Sequence, residues 1–165
     1  MPQANLEKLF HDGLRDALYA ERKGLQGLRK HARAAKAPEL KQALEQHREE
    51  TEGQVERLQR IFEIMGKRAS GKNCPGIDGL IEEAEELMEE YKESPAADAA
   101  LVSAAQAIEH YEICRYGTLA SWARQLGMGE AEQLLRETLA EEEKSDQLLT
   151  QLAEAALNTA AERAA

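Results

Sequence analysis

The sequence predicts an all-α fold in which four long helices pack as a bundle and one long crossover joins the second to the third. Three observations lead there. Ala, Leu, Glu, Gln, Lys and Arg dominate and only 4% of the residues are aromatic, a composition suited to long helices. Apolar residues recur at three- and four-residue spacing in four stretches, the period of one helix face. The breaks between these stretches are unequal: those near Pro38 and at Gly127–Gly129 are short, and the one from Gly66 to Pro95 is long.

The first long helix starts after Asn5, a good N-cap, carries Leu6, Phe10, Leu14, Ala17, Leu18, Leu25 and Leu28 on one face, and runs to about Ala35. Pro38 suits the first turn of the second, which carries Leu40, Ala43, Leu44, Val55, Leu58, Ile61, Phe62 and Met65 and stops at Gly66. KRASGKNCPGIDG reads as a loop, and IDGLIEEAEELMEEYKES as a shorter acidic helix with a solvated face that ends before Pro95. The third long helix spans about Ala96 to Leu126, with Leu101, Ala105, Ile108, Leu119, Ala123 and Leu126 in phase. The fourth follows the GMG break and carries Ala131, Leu135, Thr138, Ser145, Leu149, Leu152 and Ala156, and NTAAERAA is expected to fray.

Two helical hairpins joined by one long connection describe the ferritin-like variant of the four-helix bundle, here with a fifth, short helix in the crossover. With 165 residues and no break in composition, the chain reads as a single domain, 1–165, with its core at about 5–157 and its crossover at about 67–95. The formal charge is −10 and the basic residues are scattered, which argues against nucleic acid or an anionic membrane as partner, since both need a concentrated positive surface. The start, MPQANLEKLFHDGL, lacks the pattern of a secretory signal, and no apolar run approaches the roughly 20 residues of a bilayer span. A cytoplasmic protein is expected. Cys74 and Cys114 are too few and too far apart for a disulfide framework or a zinc site and read as unpaired thiols.

The stretch HREETEGQ, residues 47–54, interrupts the apolar face of the second helix. At 100° per residue, His47 and Gln54 lie near the centre of that face and Glu50 at its edge. Glu21 lies at the centre of the first helix's apolar face, Glu112 shares a direction with Leu101, Ala105, Ile108 and Leu119, and Glu142 lines up with Leu135, Thr138 and Leu149, with Glu141 as its competitor. The heights agree too: 29 residues separate Glu21 from Glu50 and 30 separate Glu112 from Glu142, each pair placed evenly about its turn. One acid alone is more often a rim side chain than a ligand. Four at one height, one per helix, cannot all stay ionised in a low-dielectric core, and a pair of metal ions removes the difficulty. A metal-free alternative pairs Arg115 with Glu112 in a buried polar network. His47 stands open between metal ligand and satisfied core histidine. His11 and His31 carry no signal, His110 reads as a surface or dimer-contact residue, and Tyr19, Tyr116 and Trp122 read as packing residues.

LRDALYAERKGL, HREETEGQVERL, KNCPGIDGLIEEAEEL, EHYEICRYGTL and ETLAEEEKSDQLL together resemble the YciF-type family of bacterial proteins, a branch of the ferritin-like superfamily near rubrerythrin. The resemblance covers about residues 5–155 and implies a cytoplasmic homodimer with a di-iron centre and a loose link to stress responses, without an established substrate. The superfamily's usual Glu-x-x-His is absent: Gly53 stands three residues after Glu50 and Ser145 three after Glu142. His47, one turn before Glu50, is the substitute on offer, while Gln54 and Asp146 lie one turn after their glutamates. Glu109 and Glu112 resemble the doubled glutamate of rubrerythrin's third helix. The implied ligand set is Glu21, His47, Glu50, Glu109, Glu112, Glu142 and Asp146, oxygen-rich and suited to two iron ions or to manganese. Glu50 and Glu142, or their neighbours, are the expected bridges, Glu21 and Glu112 the terminal ligands, and Glu109 the group that shifts with charge. One function is then peroxide or dioxygen chemistry of the rubrerythrin kind, which would need a separate electron donor because the chain has no CxxC pair. The other is a non-catalytic helical dimer that holds iron or only packs.

Overall fold

The computed structural model describes residues 5–163. Its elements are α1 (Leu6–Ala34), α2 (Pro38–Ile64), α3 (Pro75–Tyr91), α4 (Ala97–Gln125), α5 (Gly129–Leu152) and α6 (Asn158–Glu162), the last joined to α5 by a π-helical turn, Ala153–Leu157. α1 packs on α2 and α4 on α5, and α2–α5 and α1–α4 contacts close the four into a bundle, with α3 laid along α4 and touching α1. The architecture is the expected one: all-α, with the short helix inside the long crossover.

Local chemistry sets the boundaries. The Asn5 side chain accepts from the Lys8 amide at 2.9 Å, which caps α1. Pro38 and Pro75 open α2 and α3 at positions where a missing amide proton costs nothing. Pro75 therefore belongs to the helix and not to the preceding loop. Gly66 and Gly127 have φ of 63° and 72°, and each ends its helix with the same pair of bonds: Gly66 N to Glu63 O and Lys67 N to Phe62 O, Gly127 N to Arg124 O and Met128 N to Ala123 O, all between 2.9 and 3.1 Å. That pattern needs a left-handed residue, which glycine supplies without strain. At the opposite end of the bundle the Asp98 carboxylate accepts from the Lys36 and Ala37 amides, both at 2.8 Å, and ties the α1–α2 turn to the start of α4.

The chain does not fray at Asn158 as expected. Helix continues to Glu162, because the π-helical turn carries Leu157 onto the apolar cluster that also holds Leu152. The expected fraying of Ala164 and Ala165 lies outside the described residues. Among the described residues, no helix is long and apolar enough to cross a membrane.

The core is divided along its length. Phe10, Leu14, Leu18, Leu58, Ile61, Phe62, Leu119 and Leu135 fill one end. Leu28, Leu40, Leu44, Leu101, Val102 and Leu149 fill the other. Between them lies a buried layer of different character: Glu21, His47, Thr51, Gln54, Glu109, Glu112, Thr138, Glu142 and Ser145. Burying such groups is unfavourable unless each finds a partner, so the layer needs its own explanation.

Candidate metal centre

Each long helix delivers part of this layer from the inward stripe of its own sequence pattern. α1 contributes Glu21, α2 His47, α4 both Glu109 and Glu112, and α5 Glu142, all 5% exposed or less. One ligand-capable atom from each of His47, Glu109, Glu112 and Glu142 lies within 4.8 Å of all the others. His47 Nε2 is 3.1 Å from Glu109 Oε1 and 3.4 Å from Glu142 Oε2. His47 is thus the one imidazole among the buried carboxylates. A hydrogen bond from Thr51 Oγ1 to the His47 carbonyl, 2.8 Å, steadies its turn of helix.

The electrostatics of the cluster are frustrated. Burial, then the charges of Glu112 and Glu109, push Glu142 well above the ordinary carboxylate range, and burial with the charges of Glu21 and Glu109 does the same to Glu112. Burial also lifts Glu21, to about 7, although a hydrogen bond from the Tyr116 hydroxyl works in the opposite direction. For His47, burial alone would lower the imidazole, but the charge and contact of Glu109 and the contact of Glu50 overcome it and hold the group up at about 10. Glu109, although desolvated, is held below the ordinary range chiefly by the His47 charge. Hydrogen bonding leaves a deficit: both oxygens of Glu142, one each of Glu109 and Glu112, and Nδ1 of His47 are buried without a partner. Carboxyl oxygens that face one another with fewer donors than acceptors make a set that suits a cation.

Not every residue expected from the sequence joins the cluster. Asp146 turns outward, where its Oδ1 accepts from Gln106 Nε2 at 3.0 Å and lies 3.2 Å from His110 Nε2. One turn past Glu142 proves to be the helix flank, not its inward face. Glu50 sits at the rim, 3.6 Å from His47 Nδ1 and 3.3 Å from Lys144 Nζ. Contact with His47 outweighs partial burial, and Lys144 helps, so Glu50 is held down at about 2. The competition between Glu141 and Glu142 is decided by Arg57, whose Nη2 and Nη1 meet the two Glu141 oxygens at 2.5 and 2.8 Å, while Gln54 Nε2 donates to the same carboxylate at 3.1 Å. Glu141 is neutralised at the edge, and Glu142 points inward. Arg115 does not pair with Glu112: it is exposed and lies over the Tyr111 ring at 5.0 Å.

Three contributors are not among the site residues expected from the sequence. Tyr116, read as packing, is fully buried and donates to Glu21. Ser145, standing where an imidazole would be expected, donates to Glu109 Oε1 at 3.3 Å. His31 is buried in the wall of the cavity beside the cluster. A polar side chain on an apolar stripe is the signal shared by Ser145 and His31, whereas nothing in the sequence pairs Tyr116 with Glu21, 95 positions away. As expected, Cys74 and Cys114 are both free thiols.

A family model described as a domain of unknown function, DUF892, matches residues 5–162. The chain belongs to the DUF892 family. Protein YciF of Escherichia coli strain K12 is 43% identical over 166 residues, covering all of both chains. The crystal structure of that E. coli protein, called a stress protein, aligns with a TM-score of 0.89 over 94% of this chain and 99% of its own. YcfI of Rhodopseudomonas palustris, called "a putative structural protein", is 44% identical and aligns with a TM-score of 0.86 over 89% and 94% of the two chains. A Xanthomonas campestris protein, 28% identical, aligns at 0.72 over 96% of each. These three proteins share the helical bundle with this chain.

Proposed function

We propose that this DUF892 protein is a metal-binding protein whose buried layer holds two divalent ions, iron or else manganese. The observation that carries the reading is the convergence of His47, Glu109, Glu112 and Glu142 within 4.8 Å, with buried lone pairs left unpartnered. Charge supports the number. Glu21, Glu109, Glu112 and Glu142 amount to −4 when ionised, and two ions of charge +2 balance it, which leaves His47 free to bind as the neutral imidazole.

In this reading Glu109, Glu112, Glu142 and His47 hold the ions, and Glu21 completes the set from α1. Glu50 faces His47 Nδ1 and orients the ring, the usual task of a carboxylate behind a ligating histidine. Tyr116 holds Glu21 in place, Ser145 holds Glu109, and the two apolar ends of the core keep bulk water out. Iron, when bound, would supply redox reactivity toward peroxide or dioxygen. The link to stress carried by the E. coli relative's description agrees with that chemistry, and the electron donor would be a separate protein.

The description of the R. palustris relative favours a second reading, a structural or iron-holding helical dimer without turnover. Elemental analysis of protein purified without added metal, and again after anaerobic ferrous loading, separates the possibilities. About two ions per chain, lost in the Glu21→Ala, Glu112→Ala double variant, are expected for a carboxylate-bridged centre. No metal in either protein would return the layer to a purely structural role, and bound iron inert to peroxide would favour holding over turnover.

A further inference from the structure

Beside the carboxylates, a cavity of about 30 Å³ opens between α1, α3 and α4, enough for a guest of one or a few heavy atoms and no more. Its inner end is formed by Glu21, His47, Glu109 and Glu112, its middle by apolar groups such as Leu28 and Ile108, and its outer end by Lys30 and Glu85. An open surface basin lies directly outside and shares Gly27, Lys30, Ile81 and Glu85 with it. Inner cavity and basin are thus neighbours, and an exposed Lys30–Glu85 ion pair stands at their shared edge.

The glycines of α1 are informative here. Glycine inside a helix weakens it, so it calls for a reason. At Gly13 the reason is packing, since a Cβ there would stand 2.9 Å from Leu119 Cδ2. Gly24 and Gly27 have neither a positive φ nor a close neighbour: a Cβ at Gly24 would meet only Glu112 Oε1, at 4.0 Å, and one at Gly27 would meet nothing within 4 Å. Both line the cavity. Space is what they provide.

We propose that this cavity binds a small neutral molecule of the size of dioxygen or hydrogen peroxide and is its route to the carboxylate cluster, with Gly24 and Gly27 setting the bore. Anions and larger substrates are excluded, because the throat is apolar, narrow and followed by acidic groups that would repel negative charge. The crossover helix α3 supplies the outer wall through Ile81 and Met88, which gives the long connection a task at the site.

What the route leads to rests on the metal reading, but the pocket itself can be tested without it. Crystals of the metal-free protein under xenon pressure should show xenon between Gly27 and Ile108, and Gly27→Leu should abolish it. Iron stoichiometry after ferrous loading should be the same in both, while oxidation of the bound iron by added peroxide slows tenfold or more in the variant. Gly27→Ala, which suits a helix and leaves most of the bore open, is the folding control and should keep both xenon and the fast reaction. Xenon absent from the wild type, or retained in Gly27→Leu, overturns the pocket, and an unchanged oxidation rate at equal iron overturns the route. Failure of the wild type to take up iron would instead defeat the metal reading and with it the route, with xenon still deciding the pocket.

Discussion

The α4–α5 hairpin brings Glu109, Glu112 and Glu142 to the buried layer, whereas the α1–α2 hairpin brings one acid, Glu21, already bonded to Tyr116, and the imidazole of His47. The two halves of the bundle are similar in length and turn chemistry, and both turn at a glycine-closed or proline-opened end, yet their polar groups are in opposite condition. On α1–α2 the buried groups are mostly satisfied or carry positive charge. On α4–α5 they are carboxyl groups short of partners. In the metal-free protein the buried carboxyl groups thus face one buried imidazole, His47, and in loaded protein the ions would take over that task.

That difference is broken most sharply at His47. In metal-free protein, His47→Ala should destabilise by about 3–5 kcal/mol, because it leaves the facing carboxylates uncompensated. Glu142→Leu should do the reverse, stabilising the metal-free protein by about 1–3 kcal/mol, since it removes two unpartnered buried oxygens and the repulsion they cause. Both variants should lose the metal. Urea unfolding of the two chelator-treated variants measures the pair, and a Glu142→Leu protein less stable than wild type would show that the layer is satisfied without metal.

A second test reads the same asymmetry through pH. Glu21, Glu112 and Glu142 all have folded-state pKa values above those of the unfolded chain, so the stability they contribute is complete below about 4.5 and is lost as pH rises, for Glu21 through about 7. His47, raised from 6.5 to about 10, adds stability that is complete below 6.5 and is lost as pH rises through 10. Glu50, held at about 2, and Glu109, held low, act oppositely, and what they contribute is lost only as pH falls below 4.5. The melting temperature of metal-free protein should thus fall from pH 5 to pH 8 by calorimetry. Metal affinity should rise over the same range, because protons held by Glu112 and Glu142 must leave before a cation enters. Parallel pH profiles for metal-free and loaded protein would contradict the proposed ligand set.

Tyr116→Phe probes the satisfied half. It leaves Glu21 buried without its donor, at a cost of about 1–2 kcal/mol, and should weaken metal binding less than loss of any α4–α5 acid. An iron stoichiometry as low as that of Glu142→Leu would make the Tyr116–Glu21 pair as important as the ligands themselves.

The unequal shares also show where the sequence is readable. Helix boundaries followed from Asn5, Pro38, Gly66 and Gly127, whose effects are local and need no tertiary knowledge. The inward faces of Glu21, Glu112 and Glu142 followed from phase over a few turns of regular helix. Adjacent residues were harder: Glu141 and Glu142 differ by 100° around the axis, and Arg57, 84 positions away, decides between them. Asp146 failed for a related reason, since i+4 is 40° off and, on α5, that offset falls toward Gln106 rather than into the core. The donors from Tyr116 and Ser145 are cross-helix contacts, set by rotation of whole helices against one another and not by any one segment's pattern.

Glu50 is where the two halves meet, and it gives the smallest and most discriminating test. It bridges α2 to α5 through Lys144 at 3.3 Å, at the solvent edge, so Lys144→Ala should shift stability by no more than about 0.5 kcal/mol and leave iron stoichiometry intact. Glu50→Gln removes the charge facing His47 Nδ1 while keeping the shape. If Glu50 only orients the ring, the variant should retain its iron, and the His47 pKa of the metal-free protein, followed by NMR, should fall, because a contact that raises it is gone. If Glu50 is itself a bridging ligand, as its place in the sequence led us to expect, iron should drop with Glu50→Gln as it does with Glu142→Leu. The layer would then draw two acids from one hairpin and three from the other, and most of the asymmetry between them would be a property of the metal-free protein.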